Sequence, residues 1–477
     1  MSTTTLSYDV LIIVFEWLRD DYKSLFSCSI VNRTFKEAAA TYLYRKVTYA
    51  PPFSNVLDLR KRDDIEGGFF ASARLPHNAP LVRRLEVGGY LSGRPPPVNT
   101  FPAQLKSAVE CWQNLQIIVF APKQYPDHLF TDTLPLLSQL PLLQSLAVNG
   151  TCTDEQHSIK LVHIIQLESL TIESPTRAIL QRLPEWLEQL AGTLRALRLT
   201  HSCGSVTPGV LRSFIPHLQN ITTSALGLSY SLTDNDVFTF WQDLPSLQTI
   251  DFRYYLVNPI AITPRLPCLR HLTIRYSSIT TKDYADRICR WVRRVIAQSP
   301  IQTLRLQCEN HVFGPAVSFD PLVEHLSIKH AARLRVLDMS DCFVGKRMLH
   351  MLCRTCTHLE ELSLSISTDA LDDFLTAAAG LQRLRTASFN IRHRKRRLDI
   401  PHDLAEKLMK SAPRLRRVTV DGKSFEVSNP PTSHRENVPA TSIPCRVHGL
   451  PCLTERSTSL WRRFKTSARY SHGSAVP

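Results

Sequence analysis

Glycine is scarce in this chain of 477 residues, which contains only 16. The sequence has no phosphate-binding loop, no glycine-rich nucleotide fingerprint, no G-x-S-x-G elbow and no HExxH helix. We therefore expect no enzyme activity, no catalytic residue, no cofactor and no metal. The longest purely apolar run, residues 10–15, is far too short to cross a membrane and has no basic leader. We expect a cytoplasmic or nuclear protein without membrane contact.

Cysteine is also sparse, with 12 residues that mostly lie inside apolar patterns. In a reducing compartment such residues are small buried hydrophobes rather than disulfide partners. The formal net charge of +15 permits acidic partners or nucleic acid but does not choose between them.

A pattern of the form L-x-x-L-x-L recurs along most of the chain, as in Leu334, Leu337 and Met339. The thirteen starts lie about 28 residues apart on average, which is typical of leucine-rich repeats. The starts are Val82, Leu115, Leu143, Leu167, Leu194, Leu218, Leu247, Leu269, Ile301, Leu334, Leu359, Leu384 and Leu415.

Each repeat combines two periodicities. The last two apolar residues of the pattern alternate with polar ones, as a half-buried strand requires. Stretches between the patterns, such as Ile288, Trp291 and Val292, have helical spacing. One strand and one helix cannot bury a core alone, but stacked copies can. The sequence therefore predicts an irregular α/β solenoid with parallel strands on its concave face and helices outside.

These patterns divide the chain into four parts. We predict a helical domain at 1–47, a linker at 48–80, the repeat solenoid at 81–427 and a disordered basic tail at 428–477.

The amino-terminal part predicts three short helices. Val10, Ile13, Val14, Trp17 and Leu18 share one helical face, and further apolar residues widen it beyond what one side can hide. Asp20-Asp21 is suited to cap a second helix and Asn32 a third. So small a unit either caps the solenoid or needs a protein partner.

Residues 6–45 resemble an F-box, most closely the fungal form. The matching positions are Leu6, Asp9, Val10, Leu11, Ile13, Phe15, Leu18, Leu25, Val31 and Phe35. The sequence departs from the family at Ser7, where proline is usual, at Asn32, where cysteine is common, and at Phe35, which replaces tryptophan.

The resemblance implies a substrate-recognition adaptor of a Skp–cullin–F-box ubiquitin ligase. The amino-terminal helices would bind the Skp-type linker subunit, and through it cullin, while the repeats would bind an unknown protein substrate. The residues expected to bind the linker subunit are Leu6, Val10, Leu11, Ile13, Phe15, Leu18, Leu25, Val31 and Phe35.

The expected substrate surface lies on strand positions between core-facing residues. These positions are Arg198, Arg253, Arg275, Arg305 and Asp338, and their mostly basic character suggests an acidic substrate surface.

Other interpretations remain open. The alternative to the adaptor is a leucine-rich-repeat scaffold or regulator that binds acidic protein or RNA, with the amino-terminal helices as a solenoid cap. We do not expect nucleic acid as the main partner. Cys353-x-x-Cys356 favours a repeat helix over half a zinc site, and Cys445, His448 and Cys452 lack a fourth ligand. The basic run at 392–397 fits either a solvated loop or a nuclear localisation signal.

Overall fold

The computed structural model describes residues 6–53, 70–91, 97–124, 128–255, 262–310, 317–392, 406–409, 412 and 414–426. The predicted tail at 428–477, with Cys445, His448 and Cys452, lies outside the described residues. So do residues 54–69 of the predicted linker and residues 393–397 of the basic run.

Strands recur along the whole described chain. They are β1 Lys46–Tyr49, β2 Arg84–Tyr90, β3 Ile117–Gln124, β4 Ser145–Val148, β5 Ser169–Glu173, β6 Ala196–Ser202, β7 Thr223–Leu228, β8 Thr249–Tyr254, β9 His271–Ser277, β10 Thr303–Asn310, β11 Val336–Phe343, β12 Glu361–Ile366, β13 Thr386–Ile391, β14 Arg417–Val420 and β15 Lys423–Glu426.

Three helices precede the strands, and most strands are followed by a helix. The helices are α1 Tyr8–Trp17, α2 Tyr22–Ser29, α3 Arg33–Leu43, α4 Pro97–Cys111, α5 Leu134–Leu137, α6 Glu155–Leu161, α7 Arg177–Leu190, α8 Pro208–Phe214, α9 Asp234–Gln242, α10 Lys282–Ile296, α11 Asp320–Lys329, α12 Lys346–Thr355 and α13 Thr368–Ala377. No helix among the described residues has the length and apolar character that a membrane span needs.

The chain divides into two compact units. The first comprises the described residues of Met1–Ser278, Arg290–Leu304 and Cys308–Val312, and the second those of Ile279–Cys289, Arg305–Gln307 and Phe313–Pro477.

Within each unit the strands pair in chain order. In the first, β1 to β9 are parallel, each to the next. In the second, β11 to β14 are parallel and β15 closes the edge antiparallel to β14. This arrangement confirms the predicted α/β solenoid class with parallel strands.

The strand entries match the sequence pattern closely. Twelve of the thirteen predicted starts lie two residues before a strand; Leu334, for example, precedes β11, which begins at Val336. The prediction at Leu218 was wrong by three residues. Ile221, which is 1% exposed, takes the equivalent position before β7, and Leu218 lies in the turn that precedes it.

Two strands were missed because they lack the repeat pattern. Strand β1 follows the three helices directly and pairs with β2 through Lys46 and Arg84. Strand β15 returns antiparallel after a two-residue turn at Asp421 and Gly422, whose φ angles of 48° and 79° match the left-handed turn of a tight hairpin.

Aromatic residues pack together in the core of the first unit. The rings of Phe252 and Trp291 stack with centroids 5.4 Å apart, and Trp241 meets Phe252 edge-on at 5.2 Å. All three side chains are at least 98% buried. This packing ties β8 to the helices on either side of it, since Trp241 belongs to α9 and Trp291 to α10.

Gly227 permits a close approach between β6 and β7. The register shifts between Leu199 and Ser202, and His201 takes a left-handed φ of 59°. A Cβ at Gly227 would lie 2.4 Å from the His201 carbonyl oxygen and 2.8 Å from its nitrogen. The irregular pairing therefore requires glycine here.

We expect Gly227→Ala to lower the free energy of unfolding by about 1–3 kcal/mol, because backbone atoms must move to admit the methyl group. Denaturant unfolding measures the change. Gly192→Ala is the matched control, since nothing lies within 4 Å of a Cβ there. An equal effect from both substitutions would contradict the steric explanation.

Candidate partner-binding surface

Side-chain caps fix the starts of the three amino-terminal helices. Ser7 Oγ accepts the Val10 N–H at 3.5 Å, Asp21 Oδ1 accepts the Ser24 N–H at 3.1 Å, and Asn32 Oδ1 accepts the Phe35 N–H at 2.9 Å. The predicted caps at Asp21 and Asn32 are confirmed. Hydrogen bonds from Ser24 lower the pKa of Asp21, which keeps the capping carboxylate ionised. Ser7 and Asn32, two departures from the F-box pattern, thus each begin a helix.

The three helices share a small core of their own. Its buried members are Leu11, Phe15, Leu25, Ala38, Ala39 and Tyr42. The Phe35 ring packs edge-on against Phe15 at 5.8 Å, and the Tyr42 hydroxyl donates to the Ile12 carbonyl at 2.8 Å. Phe35, the third departure, therefore packs on the core without being fully buried.

The structure divides the nine predicted partner-binding residues into two groups. Leu11, Phe15 and Leu25 are at most 2% exposed, and Leu18 and Phe35 pack against them. These five hold the helices together. The remaining four are solvent-exposed: Leu6, Val10, Ile13 and Val31.

Six further apolar or aromatic side chains extend the exposed group. They are Tyr8, Val14, Trp17, Tyr22, Phe26 and Ile30. Helical spacing on α1 had indicated Val14 and Trp17, but α2 offered too short a pattern to assign a face. Together with Leu6, Val10, Ile13 and Val31 they form what we call the apolar face.

The apolar face is unusual for a protein surface. Trp17 is 87% exposed and Ile30 73%. Ten of the 19 large exposed hydrophobic residues in the described chain lie between Leu6 and Val31. Large exposed apolar patches mark sites of protein or membrane contact, and this concentration of exposed apolar side chains within 26 residues makes the segment a candidate for one.

Exposed charged residues accompany the apolar face on the three helices. Asp9, Glu16 and Asp20 are exposed on the same two helices, and Arg33 pairs with Glu37 at 2.9 Å on α3. An apolar centre with a charged rim is the composition of a protein interface.

The five predicted substrate-surface residues alternate with buried strand residues, and each is partly exposed. Three of the arginines are paired with carboxylates: Arg253 with Glu309 at 2.6 Å, Arg275 with Asp251 at 2.9 Å and Arg305 with Glu361 at 3.8 Å. Arg198 donates to the Ser169 hydroxyl, and Asp338 accepts from Ser340. The strand face is therefore less basic than its arginines alone indicate.

The Cys353-x-x-Cys356 pair lies in the core of the second unit. Both residues are fully buried, and burial raises the pKa of the Cys353 thiol to about 12. Within the described residues, no group of three or more His, Cys, Asp or Glu side chains is placed to hold a metal ion.

A set of hydrogen bonds around His157 in the first unit was not evident from the sequence. The Thr131 hydroxyl lies 2.7 Å from His157 Nε2, and Asp154 Oδ2 lies 2.5 Å from His157 Nδ1. Asp154 also caps α6 by accepting the His157 N–H at 2.8 Å. His157 is 1% exposed, and Lys160 Nζ binds the Thr131 carbonyl at 2.9 Å. We infer that these hydrogen bonds, which we call the His157 cluster, hold the segment around Thr131 onto α6.

No family model matches the sequence, and no curated protein matches it. Among solved structures, a complex of yeast Rad7 and Elc1 is 11% identical with a TM-score of 0.41, covering 88% of this chain and 94% of that one. A complex of TLR13 with ssRNA13 is 18% identical with a TM-score of 0.36, covering 72% of this chain and 44% of that one. The leucine-rich-repeat protein LegL7 of Legionella pneumophila is 12% identical with a TM-score of 0.33, covering 72% and 93%. None of these low scores identifies a family for this chain.

Core and surface positions on α1 should respond differently to truncation. We expect Phe15→Ala to cost about 3–5 kcal/mol of local stability, because it leaves a cavity among the three helices. Trp17→Ala should change it by less than about 0.5 kcal/mol. Hydrogen exchange of the α1–α3 amides measures both, and a large loss from Trp17→Ala would show that Trp17 belongs to the core.

The His157 cluster predicts that the free energy of unfolding depends on pH. Burial opposes ionisation of Asp154, but hydrogen bonds and the charge of His157 outweigh it and lower the pKa of Asp154. Its contribution is therefore present above the unfolded-state pKa and is lost as the pH falls through the folded-state value. In the unaltered chain the denaturant midpoint should therefore decrease at acidic pH. Asp154→Asn should make this decrease smaller, whereas Asp132→Asn, at an exposed position, should leave it unchanged. If the denaturant midpoint of Asp154→Asn decreased at acidic pH as much as that of the unaltered chain, Asp154 would not be the source of the pH dependence.

Proposed function

We propose that this chain is a substrate-recognition adaptor of a Skp–cullin–F-box ubiquitin ligase. In this proposal the apolar face binds the Skp-type linker subunit and the repeats bind a protein substrate. The chain performs no chemistry itself. It raises the concentration of a substrate lysine near the conjugating enzyme by holding both in one assembly.

The observation that carries the proposal is the separation of core from surface in the three helices. Their core is complete with Leu11, Phe15 and Leu25 inside, yet Val10, Ile13 and the rest of the apolar face stay in water. Burial of an apolar side chain is worth about 1.5–3 kcal/mol. A partner that covered this face would bury several such side chains, and each burial would stabilise the complex. The segment that carries the face is also the one that resembles an F-box.

The same observation weighs against the solenoid cap. A cap serves to cover the apolar end of a repeat array. The hydrophobic residues packed on the three-helix core all come from residues 11–43, and the apolar face remains exposed. If these helices served only as a cap, the exposure of the apolar face would have no explanation.

The substrate surface is proposed on the strand face of the repeats. Arg253 and Arg275 are paired and only partly exposed, so they present fixed hydrogen-bonding edges rather than free positive charge. Such a surface would recognise a polar, charge-patterned protein segment. Assembly with a cullin complex would place the chain in the cytoplasm or the nucleus.

Binding is best tested with exposed residues, because substitution of Leu11 or Phe15 would test folding instead. The double variant Ile13→Asp, Trp17→Ala should weaken binding of the Skp-type subunit by at least about 100-fold, since the loss of each of two central anchors costs about 2 kcal/mol or more. Co-purification and calorimetric titration against the full chain provide the measurement.

Ile165→Asp is the matched control, because Ile165 is 56% exposed, comparable to the 62% of Ile13, but lies in a repeat. It should bind like the unaltered chain. The adaptor proposal fails if the double variant keeps full affinity, or if the unaltered chain ignores the Skp-type subunit and stays a soluble monomer, which is the behaviour expected of a scaffold.

A further inference from the structure

The second unit contains an open cavity between two successive strand entries. Its volume is about 490 Å³, and it is lined by Ala379, Gln382, Arg383 and Arg414. Pockets of about 300–1,000 Å³ are typical for small ligands. None of these residues belongs to the apolar face or to the predicted substrate surface, so the cavity is independent of the proposed function.

The two arginines occupy equivalent positions in consecutive repeats. Before β13 the Leu384 N–H donates to the Leu381 carbonyl at 3.1 Å, and before β14 the Leu415 N–H donates to the Ala412 carbonyl at 3.0 Å. Arg383 and Arg414 each directly precede the donor of their turn. The repeat geometry therefore presents the two side chains next to each other.

Strand pairing fixes how closely these turns approach. The Arg385 carbonyl accepts both the Arg416 N–H at 2.8 Å and the Arg417 N–H at 3.1 Å. Strands β13 and β14 are then in register, with Thr386 opposite Arg417. Neighbouring strands lie ~4.8 Å apart, so guanidinium groups on adjacent turns can reach the same ligand.

Within the described part of the chain, no counterion neutralises either guanidinium. Among the described residues, Arg383 and Arg414 make no ion pair or side-chain hydrogen bond, and both are exposed. Nearby arginines behave differently: Arg335 pairs with Glu360 at 4.0 Å, and Arg417 pairs with Glu426 at 2.7 Å. Two adjacent like charges without a counterion repel each other, and an anion between them would remove that repulsion.

We propose that this cavity binds a phosphate monoester, with Arg383 and Arg414 clamping the phosphoryl oxygens. Arginine is the side chain suited to this task because its planar fork can donate two parallel hydrogen bonds to a phosphate. The Gln382 amide adds a further donor at the rim. The volume exceeds that of a single phosphate ion by a wide margin, so the cavity has room for the organic part of an ester as well.

The first test uses the full-length chain with inorganic phosphate and with O-phosphoserine, each titrated at constant ionic strength with chloride as the balancing anion. Both should raise the melting temperature in a saturable way, since a ligand that binds only the folded state stabilises it. O-phosphoserine should bind more tightly than inorganic phosphate. Serine at the same concentrations should give no shift.

The variant test removes the clamp. Arg383→Gln with Arg414→Gln should weaken O-phosphoserine binding by roughly tenfold or more, as expected for lost charge-assisted hydrogen bonds. The variant should fold normally, because among the described residues neither side chain makes an ion pair or a side-chain hydrogen bond, and circular dichroism checks this. Arg354→Gln, at an exposed arginine of α12, is the matched control and should bind like the unaltered chain.

Three outcomes would overturn the proposal. They are a folded double variant that keeps full affinity, an equal loss in Arg354→Gln, and a response of the unaltered chain to phosphate no larger than its response to chloride. Tighter binding of inorganic phosphate than of O-phosphoserine would restrict the site to the free ion and reject the ester.

Discussion

Within each of the two units, the repeat array depends on one backbone arrangement at the strand entries. A single carbonyl accepts the N–H groups of two consecutive residues of the following repeat, as the Arg270 carbonyl does for Gln302 and Thr303 and the Arg335 carbonyl does for Glu360 and Glu361. Because these bonds fix the register of the next strand, they also fix which of its side chains point inward. The apolar residues of the L-x-x-L-x-L pattern then bury against their equivalents in the neighbouring repeat.

This constraint is local, which explains how the array tolerates irregularity elsewhere. Between one entry and the next the chain forms a full helix such as α7, a single turn such as α5, or a 3₁₀ segment followed by a short helix, as Gly150–Cys152 and α6 do. The strand edges stay in register because only the entry residues set it. Departures from regular pairing need a specific residue, and Gly227 opposite His201 is one.

The same locality explains what the sequence could predict. The strand entries were evident because leucine spacing encodes them directly, whereas Leu218 was misplaced because an adjacent apolar residue, Ile221, competes for the position. On α1 the core and surface could not be told apart, since Leu11 and Ile13 are chemically alike. Which of them faces inward is decided by Phe35 and Tyr42, about 25–30 residues further along the chain. Ion pairs such as Arg253 with Glu309 were also beyond prediction, because they join residues 56 positions apart.

Regular stacking has an electrostatic consequence as well. It brings equivalent positions of successive repeats to ~4.8 Å, so an arginine at one position is stable when the next repeat supplies a carboxylate. Arg335 and Glu360, which hold equivalent positions before β11 and β12, follow this rule, whereas Arg275 pairs diagonally with Asp251 of the preceding strand. Arg383 and Arg414 break it, as the exposed Trp17 and Ile13 break the rule that large apolar side chains are buried. Such uncompensated groups add little to the stability of the folded chain. Their chemistry favours different ligands: an apolar surface for the exposed side chains of α1, and an anion for the two arginines.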